Sequence, residues 1–91
     1  MGKKRERLEI IHDVLKVIQD NHNSIKPTPL LRFSNLSSQR FAEYMEELMG
    51  KGFVREIKDK NGRKYYSLTD KGFKYLGRYT TIRGFIDDFD L

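Results

Sequence analysis

Apolar residues recur with two different periods along this 91-residue chain, and the change of period divides it. Leu8, Ile11, Leu15 and Ile18 step by three and four, and Ile10, Val14 and Val17 form a second stripe beside them. That spacing predicts a first helix over residues 3–22. Two stripes are wider than one core-facing side requires, so this helix either runs near the centre of the domain or receives another helix on its second face. Residues 21–26 read as a loop. Pro27 and Pro29 bracket Thr28. A cap at Thr28 with Pro29 in the first helical position predicts a short second helix from residue 29 to 33 or 34. Ser34, Asn35 and Leu36 then turn the chain into a third helix. Ser37 is its expected N-cap, because a hydroxyl accepts from the unpaired N–H groups of a first turn. Leu36 before that cap and Phe41 at the fourth helical position have the spacing of a hydrophobic staple. Phe41, Met45 and Leu48, with Tyr44 beside them, form the inward stripe, and Gly50 and Gly52 end the helix.

After Gly52 the pattern becomes that of strands. Residues 53–58 alternate and carry β-branched Val54 and Ile57. Asp59-Lys60-Asn61-Gly62 reads as a turn, with Asn-Gly as the hairpin signal because both residues tolerate positive φ. Residues 63–68 form the return strand, with Tyr66 and Leu68 on its inner face. Thr69 caps a last helix over residues 70–90, with Asp70 in the first turn. The order helix, helix, helix, hairpin, helix is that of a winged helix-turn-helix. The expected fold is therefore mainly α (α+β), with three helices, a two-stranded β-hairpin wing and a C-terminal helix, in one domain over residues 1–91.

Composition adds limits. The net charge is +5 with a pI near 9.6, a balance that favours anionic partners without naming one. There are no cysteines, which removes disulfides, thiolate metal sites and cysteine nucleophiles and fits an intracellular setting. No apolar run approaches the roughly 20 residues a bilayer span needs, so no membrane partner is expected. Lys3, Lys4, Arg5 and Arg7 make a basic start with Glu6 the one acid among them. It is either a solvated end or an arm for DNA phosphates.

The segment GFVREIKDKNGRKYYSLTDKG resembles the wing of many winged-helix regulators, where a Gly-aromatic start leads through a basic hairpin to a Leu-Thr-x-x-Gly helix start. Leu68, Thr69, Lys71 and Gly72 match that ending. With the NLSSQRFAEYMEEL segment and the closing FIDDFDL, nearly the whole chain resembles the small archaeal winged-helix domains, a group that includes dimeric chromatin proteins of Sulfolobus. The resemblance implies double-stranded DNA binding, as a transcriptional regulator or a chromatin (nucleoid-associated) component of the cytoplasm, often as a dimer joined through the last helix. It implies no enzymatic activity.

The wing carries the strongest charge signal. Lys51, Arg55, Lys58, Lys60, Arg63 and Lys64 stand against Glu56 and Asp59, a net of +4. A tip presenting Lys58, Lys60, Asn61, Arg63 and Lys64 has the reach for phosphates or a minor groove; the bland alternative is a turn charged for solubility. On the third helix, Ser37, Ser38, Gln39, Arg40 and Glu43 should face outward. Ser37 and Ser38 suit a phosphate at a helix N-terminus, Gln39 suits adenine, Arg40 suits guanine or a phosphate, and Glu43 a cytosine amine. Glu43, Glu46 and Glu47 outweigh Arg40, so the span from Ser37 to Gly50 sums to −2. Only its first turn is expected to approach DNA, which leaves a protein-binding module as the alternative function.

On the last helix Tyr75, Tyr79, Ile82, Ile86 and Phe89 step by four, three, four and three, a seam of over two heptads that Leu76 and Phe85 widen. It either folds back onto the first helix or pairs two subunits, and the length beyond what a winged-helix core needs favours the homodimer. Catalytic signals are weak. His12 and His22 are too far apart to share a ligand at helical spacing, and Asp87, Asp88 and Asp90 read as a wet helix end. No phosphate-cradling glycine loop or nucleophile–base pair is present. Neither a cofactor, a metal nor a small-molecule ligand is expected.

Overall fold

A computed structural model describes residues 6–91 of the chain. The elements in order are α1 (Arg7–Asp20), α2 (Pro27–Ser34), α3 (Ser38–Gly50), β1 (Val54–Lys58), β2 (Lys64–Leu68) and α4 (Asp70–Asp88). The basic start at Lys3, Lys4 and Arg5 lies outside the described residues.

Both stripes of α1 are used. Ile10, Ile11, Val14, Leu15 and Ile18 are buried, and most of them join Leu30 of α2, Phe41, Met45 and Leu48 of α3, Val54, Tyr66 and Leu68 of the sheet, and Leu76 of α4 in one core. The first helix is thus the central one, which is why its apolar arc is so wide. Leu8, at the start of the first stripe, is exposed instead.

Helix ends follow local chemistry, with one shift from the expected position. The Ser37 hydroxyl accepts from the Arg40 N–H at 3.2 Å, so the third helix begins as its cap predicts. At the other end, Gly52 takes φ +80, its N–H bonds the Met49 carbonyl, and the Phe53 N–H bonds the Leu48 carbonyl. This left-handed closure satisfies carbonyls that the helix leaves open. The second helix starts two residues earlier than expected. Pro27, not Pro29, occupies the first helical position, Lys26 is the cap residue, and Thr28 makes no cap bond. The reason lies just upstream: Ile25 exchanges both backbone bonds with Tyr66 (3.2 and 2.8 Å), holding the chain extended up to Lys26. Between α2 and α3, Asn35 turns the chain in the left-handed region at φ 58. Buried Ser34 donates to the Leu31 carbonyl and accepts from the Leu36 N–H, which leaves its polar atom satisfied.

The two strands pair antiparallel from Val54↔Leu68 to Lys58↔Lys64. Their connection is not a two-residue Asn-Gly turn. The loop closes between Asp59 and Arg63, and only Gly62 takes positive φ (+79). Asp59 decides this. Its carboxylate Oδ1 accepts from the N–H groups of Asn61 (2.8 Å) and Arg63 (2.9 Å), and its own carbonyl accepts from Gly62. A turn followed by a left-handed glycine is the three-residue hairpin form.

The junction of wing and last helix centres on Thr69 and Gly72. The Thr69 hydroxyl donates to the Gly52 carbonyl at 2.6 Å and accepts from the Gly72 N–H at 3.2 Å. A Cβ at Gly72 would stand 2.4 Å from the Phe53 carbonyl oxygen, so only glycine fits. The Leu-Thr-x-x-Gly sequence is therefore a cap and a close approach in one motif.

Candidate nucleic-acid interface

The hairpin tip is a braced loop bearing free cations. Lys58, Lys60, Asn61, Arg63 and Lys64 are all exposed, while the Asp59 carboxylate ties the loop backbone from beneath. Lys64 lies 3.7 Å from Glu56 across the ladder and 5.8 Å from the Tyr66 ring, a loose, solvated pairing. Lys58, Lys60 and Arg63 have no ion-pair partner among the described residues. The tip therefore carries its positive charge outward on a backbone with little freedom to lose on binding.

The first turn of α3 is likewise open. Ser37, Ser38, Gln39, Arg40 and Glu43 are exposed. Ser37 uses an oxygen lone pair for its cap and keeps its own proton available to donate. The Arg40 guanidinium lies 5.8 Å from the Tyr44 ring centre. A second guanidinium shares that ring from the other element: Arg7 of α1 is 6.0 Å from the same centroid. Arg7 also bonds the Glu47 carboxylate, which Lys51 contacts at 2.6 Å. One of the three acids of this helix is thus neutralised twice over, while Glu43 and Glu46 keep outward carboxylates. The Glu47–Lys51 pair is legible at its four-residue spacing, but Arg7 lies forty residues away in sequence and nothing local announces it.

The α4 seam divides into two parts. Tyr75 and Tyr79 turn back onto their own chain. The Tyr75 hydroxyl donates to the Leu8 carbonyl at 2.8 Å, its ring meets Phe53 edge-on at 5.5 Å, and Tyr79 stacks on the His12 ring at 4.3 Å. Burial raises both tyrosine pKa values. For Tyr75 the neighbouring Tyr79 adds to this and Arg7 opposes it. For Tyr79 Glu9 adds most after burial, against Arg83. His12 is held between the Tyr79 face and the Asp13 carboxylate, 3.1 Å away. Further along, Ile82, Phe85 and Phe89 are exposed and Ile86 is half-buried. Between Leu8, Phe53, Tyr75, Tyr79 and Ile82 runs an apolar groove of about 370 Å³, edged by Lys71, Lys74 and Arg78. Among the described residues no cluster of three or more His, Asp or Glu is placed to hold a metal ion. No helix there is long and apolar enough to cross a membrane.

The sequence profile of the winged helix-turn-helix family matches residues 4–86. The chain belongs to this family. Its likeness extends to an uncharacterized protein of Methanocaldococcus jannaschii, MJ0287, 31% identical over 71 residues that make up 78% of this chain and 66% of the relative. The chain thus spans just under two thirds of that protein. Among solved structures, this winged helix-turn-helix resembles Sso10a-2, a DNA-binding protein from Sulfolobus solfataricus. The TM-score is 0.71 at 19% identity, covering 94% of this chain and 90% of that one. It also resembles the PcaV transcriptional regulator from Streptomyces coelicolor, with a TM-score of 0.74 at 18% identity, covering 88% of this chain and 60% of that one. At these identities the structural likeness establishes the winged-helix fold.

Proposed function

We propose that this winged-helix protein binds double-stranded DNA as a homodimer, placing the first turn of α3 at the major groove and the β1–β2 tip against phosphates. The observation that carries this reading is the braced tip, where Lys58, Lys60, Arg63 and Lys64 face solvent on a loop closed by Asp59. Free cations on a rigid hairpin match a phosphate backbone better than they serve a fold. The DNA-binding and regulatory descriptions of Sso10a-2 and PcaV support the same reading. Ile82, Phe85, Ile86 and Phe89 supply the dimer surface, because the apolar side of α4 beyond Tyr79 is left largely uncovered among the described residues.

The finer role divides into sequence reader and chromatin component. Titrating the chain against random duplex and then against a selected site separates them. Gln39→Ala and Arg40→Ala should reduce preference for the selected site more than they reduce random-duplex affinity if α3 reads bases. Unchanged preference in both variants makes the protein a backbone binder of the chromatin kind. A second reading, a protein-interaction module, is favoured by the exposed Glu43 and Glu46, which have no ion-pair partner among the described residues. Absence of salt-dependent duplex binding would select it.

A further inference from the structure

Arg40, Tyr44 and Glu47 step by four and three along α3 and so share one flank of it. Lys51, just past the helix end, extends the same flank. The start of α1 meets this flank from the side. Its Arg7 guanidinium stands 6.0 Å from the centre of the Tyr44 ring, and the Arg40 guanidinium stands 5.8 Å from the same centre. Arg7, Arg40, Glu43, Tyr44 and Glu47 together line one open recess of about 200 Å³.

The charges around this recess are unevenly engaged. Glu47 holds two cations, Arg7 and Lys51, the latter at 2.6 Å. Either one alone would leave the carboxylate paired. The partners are also unequally shielded. The Glu47 side chain is 22% exposed, whereas that of Arg7 is 53% exposed. The carboxylate is the anchored member and Arg7 the one with room to turn. An ion pair this open to water contributes little to stability, so little is lost when Arg7 lets go. Arg40 has no ion-pair partner among the described residues. Its distance from the Tyr44 ring is near the outer limit of a cation–π contact. Glu43 borders the recess too, and its carboxylate opposes an anion there. Arg40 by itself would not offset that, and Arg7 brings the second guanidinium.

We propose that the recess takes a phosphodiester phosphate of the DNA strand beside α3, which displaces the Glu47 carboxylate from Arg7. The proposal rests on the double-stranded DNA reading above and adds to it a contact from α1. In the free protein the Glu47 carboxylate stands where the phosphate would bind, since a guanidinium fork accepts either group. On the duplex, Arg7 turns to the phosphate alongside Arg40. Lys51 stays on Glu47, so the exchange leaves no charge unpaired. A phosphate contact carries no base information. Two guanidiniums on one flank instead fix how far the first turn of α3 enters the groove.

Fluorescence anisotropy on a labelled random duplex, with the full chain and its variants, tests the exchange. Circular dichroism should show every variant folded, because Arg7 is exposed and glutamine keeps the shape of Glu47. One lost phosphate contact flattens the log–log salt slope by about 0.9. Arg7→Ala should therefore bind less tightly than the wild type by a ratio that shrinks about three- to fourfold between about 50 and 200 mM salt. Arg7→Lys, which keeps the charge, should keep the slope. Loosening of the fold alone would weaken binding without flattening the slope. Glu47→Gln should tighten binding by about threefold or more, and most of that gain should disappear when Arg7 is also alanine. An unchanged slope in Arg7→Ala overturns the proposal and leaves the hairpin contacts standing. So does a Glu47→Gln variant that binds no more tightly, because the pair is then only a clip between α1 and α3. A gain that persists without Arg7 overturns it as well, since the carboxylate then acts through its general field. A wild-type chain with no salt-dependent duplex binding overturns this contact and the DNA reading together.

Discussion

Replacing Arg63 and Lys64 by alanine tests the interface where its charge is most exposed. Six cations stand on the hairpin and the first turn of α3: Arg40, Arg55, Lys58, Lys60, Arg63 and Lys64. Each phosphate they neutralise releases about 0.9 of a condensed counterion, so six contacts set a log–log salt slope of about −5. The double variant should bring that slope to about −3.6. Between about 50 and 200 mM salt the wild type would then lose about a thousandfold in affinity and the variant about a hundredfold. Both side chains sit at the mouth of a loop held by backbone bonds to Asp59, so their truncation leaves the fold intact. Fluorescence anisotropy on a labelled random duplex, read at four or five salt concentrations, measures the slopes directly. If the variant keeps the wild-type slope, these side chains do not meet phosphates. The reasoning that takes the braced tip as the contact surface is then refuted, whatever the absolute affinity.

Asp59→Ala removes an acid from the basic hairpin yet should weaken duplex binding several-fold. It frees the N–H groups of Asn61 and Arg63 and lets the tip loosen; tighter binding would mean that charge alone governs. Gly72→Ala should destabilise the fold by about 1–3 kcal/mol in urea unfolding, since its Cβ would meet the Phe53 carbonyl oxygen; a neutral change would show that this junction yields. The raised pKa values of Tyr75 and Tyr79 mean that the folded state holds their protons more tightly than the unfolded chain does. Their contribution is therefore complete below the ordinary tyrosine value of 10.0 and is lost as pH rises through the folded values. Stability should fall above about pH 10 and fall less steeply in Tyr75→Phe and Tyr79→Phe; equal slopes in all three proteins would exclude these groups as the cause.

What was legible in the sequence was what local chemistry controls. The caps at Ser37 and Thr69 and the double stripe of α1 each state their geometry within a few residues, and each stands as read. The departures have longer-range or side-chain causes. The start of α2 moved because Ile25 bridges to Tyr66, forty-one residues on, a constraint no proline rule contains. The hairpin took a wider turn because the Asp59 carboxylate offered two backbone N–H groups a better acceptor than a two-residue turn would. The α4 seam looked uniform because periodicity marks only that a residue is apolar on one side. It does not mark how far along α4 the contact with α1 extends. Tyr75 and Tyr79 meet α1 at Leu8 and His12, and beyond them Ile82, Phe85 and Phe89 on the same side of the helix are exposed among the described residues.

The same limit bears on the acidity of the third helix. Summed along the chain, α3 opposes a phosphate backbone with a net of −2, and on that ground alone it would be a poor reader of DNA. In space the sum changes, because Arg7 from α1 and Lys51 past the helix end both meet Glu47. Counting those two cations brings the local charge of this surface to zero. Glu43 and Glu46 still face outward without such cover. The repulsion is therefore concentrated in the middle of the helix, while its first turn offers Ser38, Gln39 and Arg40 to solvent. A helix charged in this way can touch a groove with its tip but resists lying along it. Under the proposed reading, affinity comes from the hairpin and from two copies, with only a narrow margin of sequence preference from the helix itself.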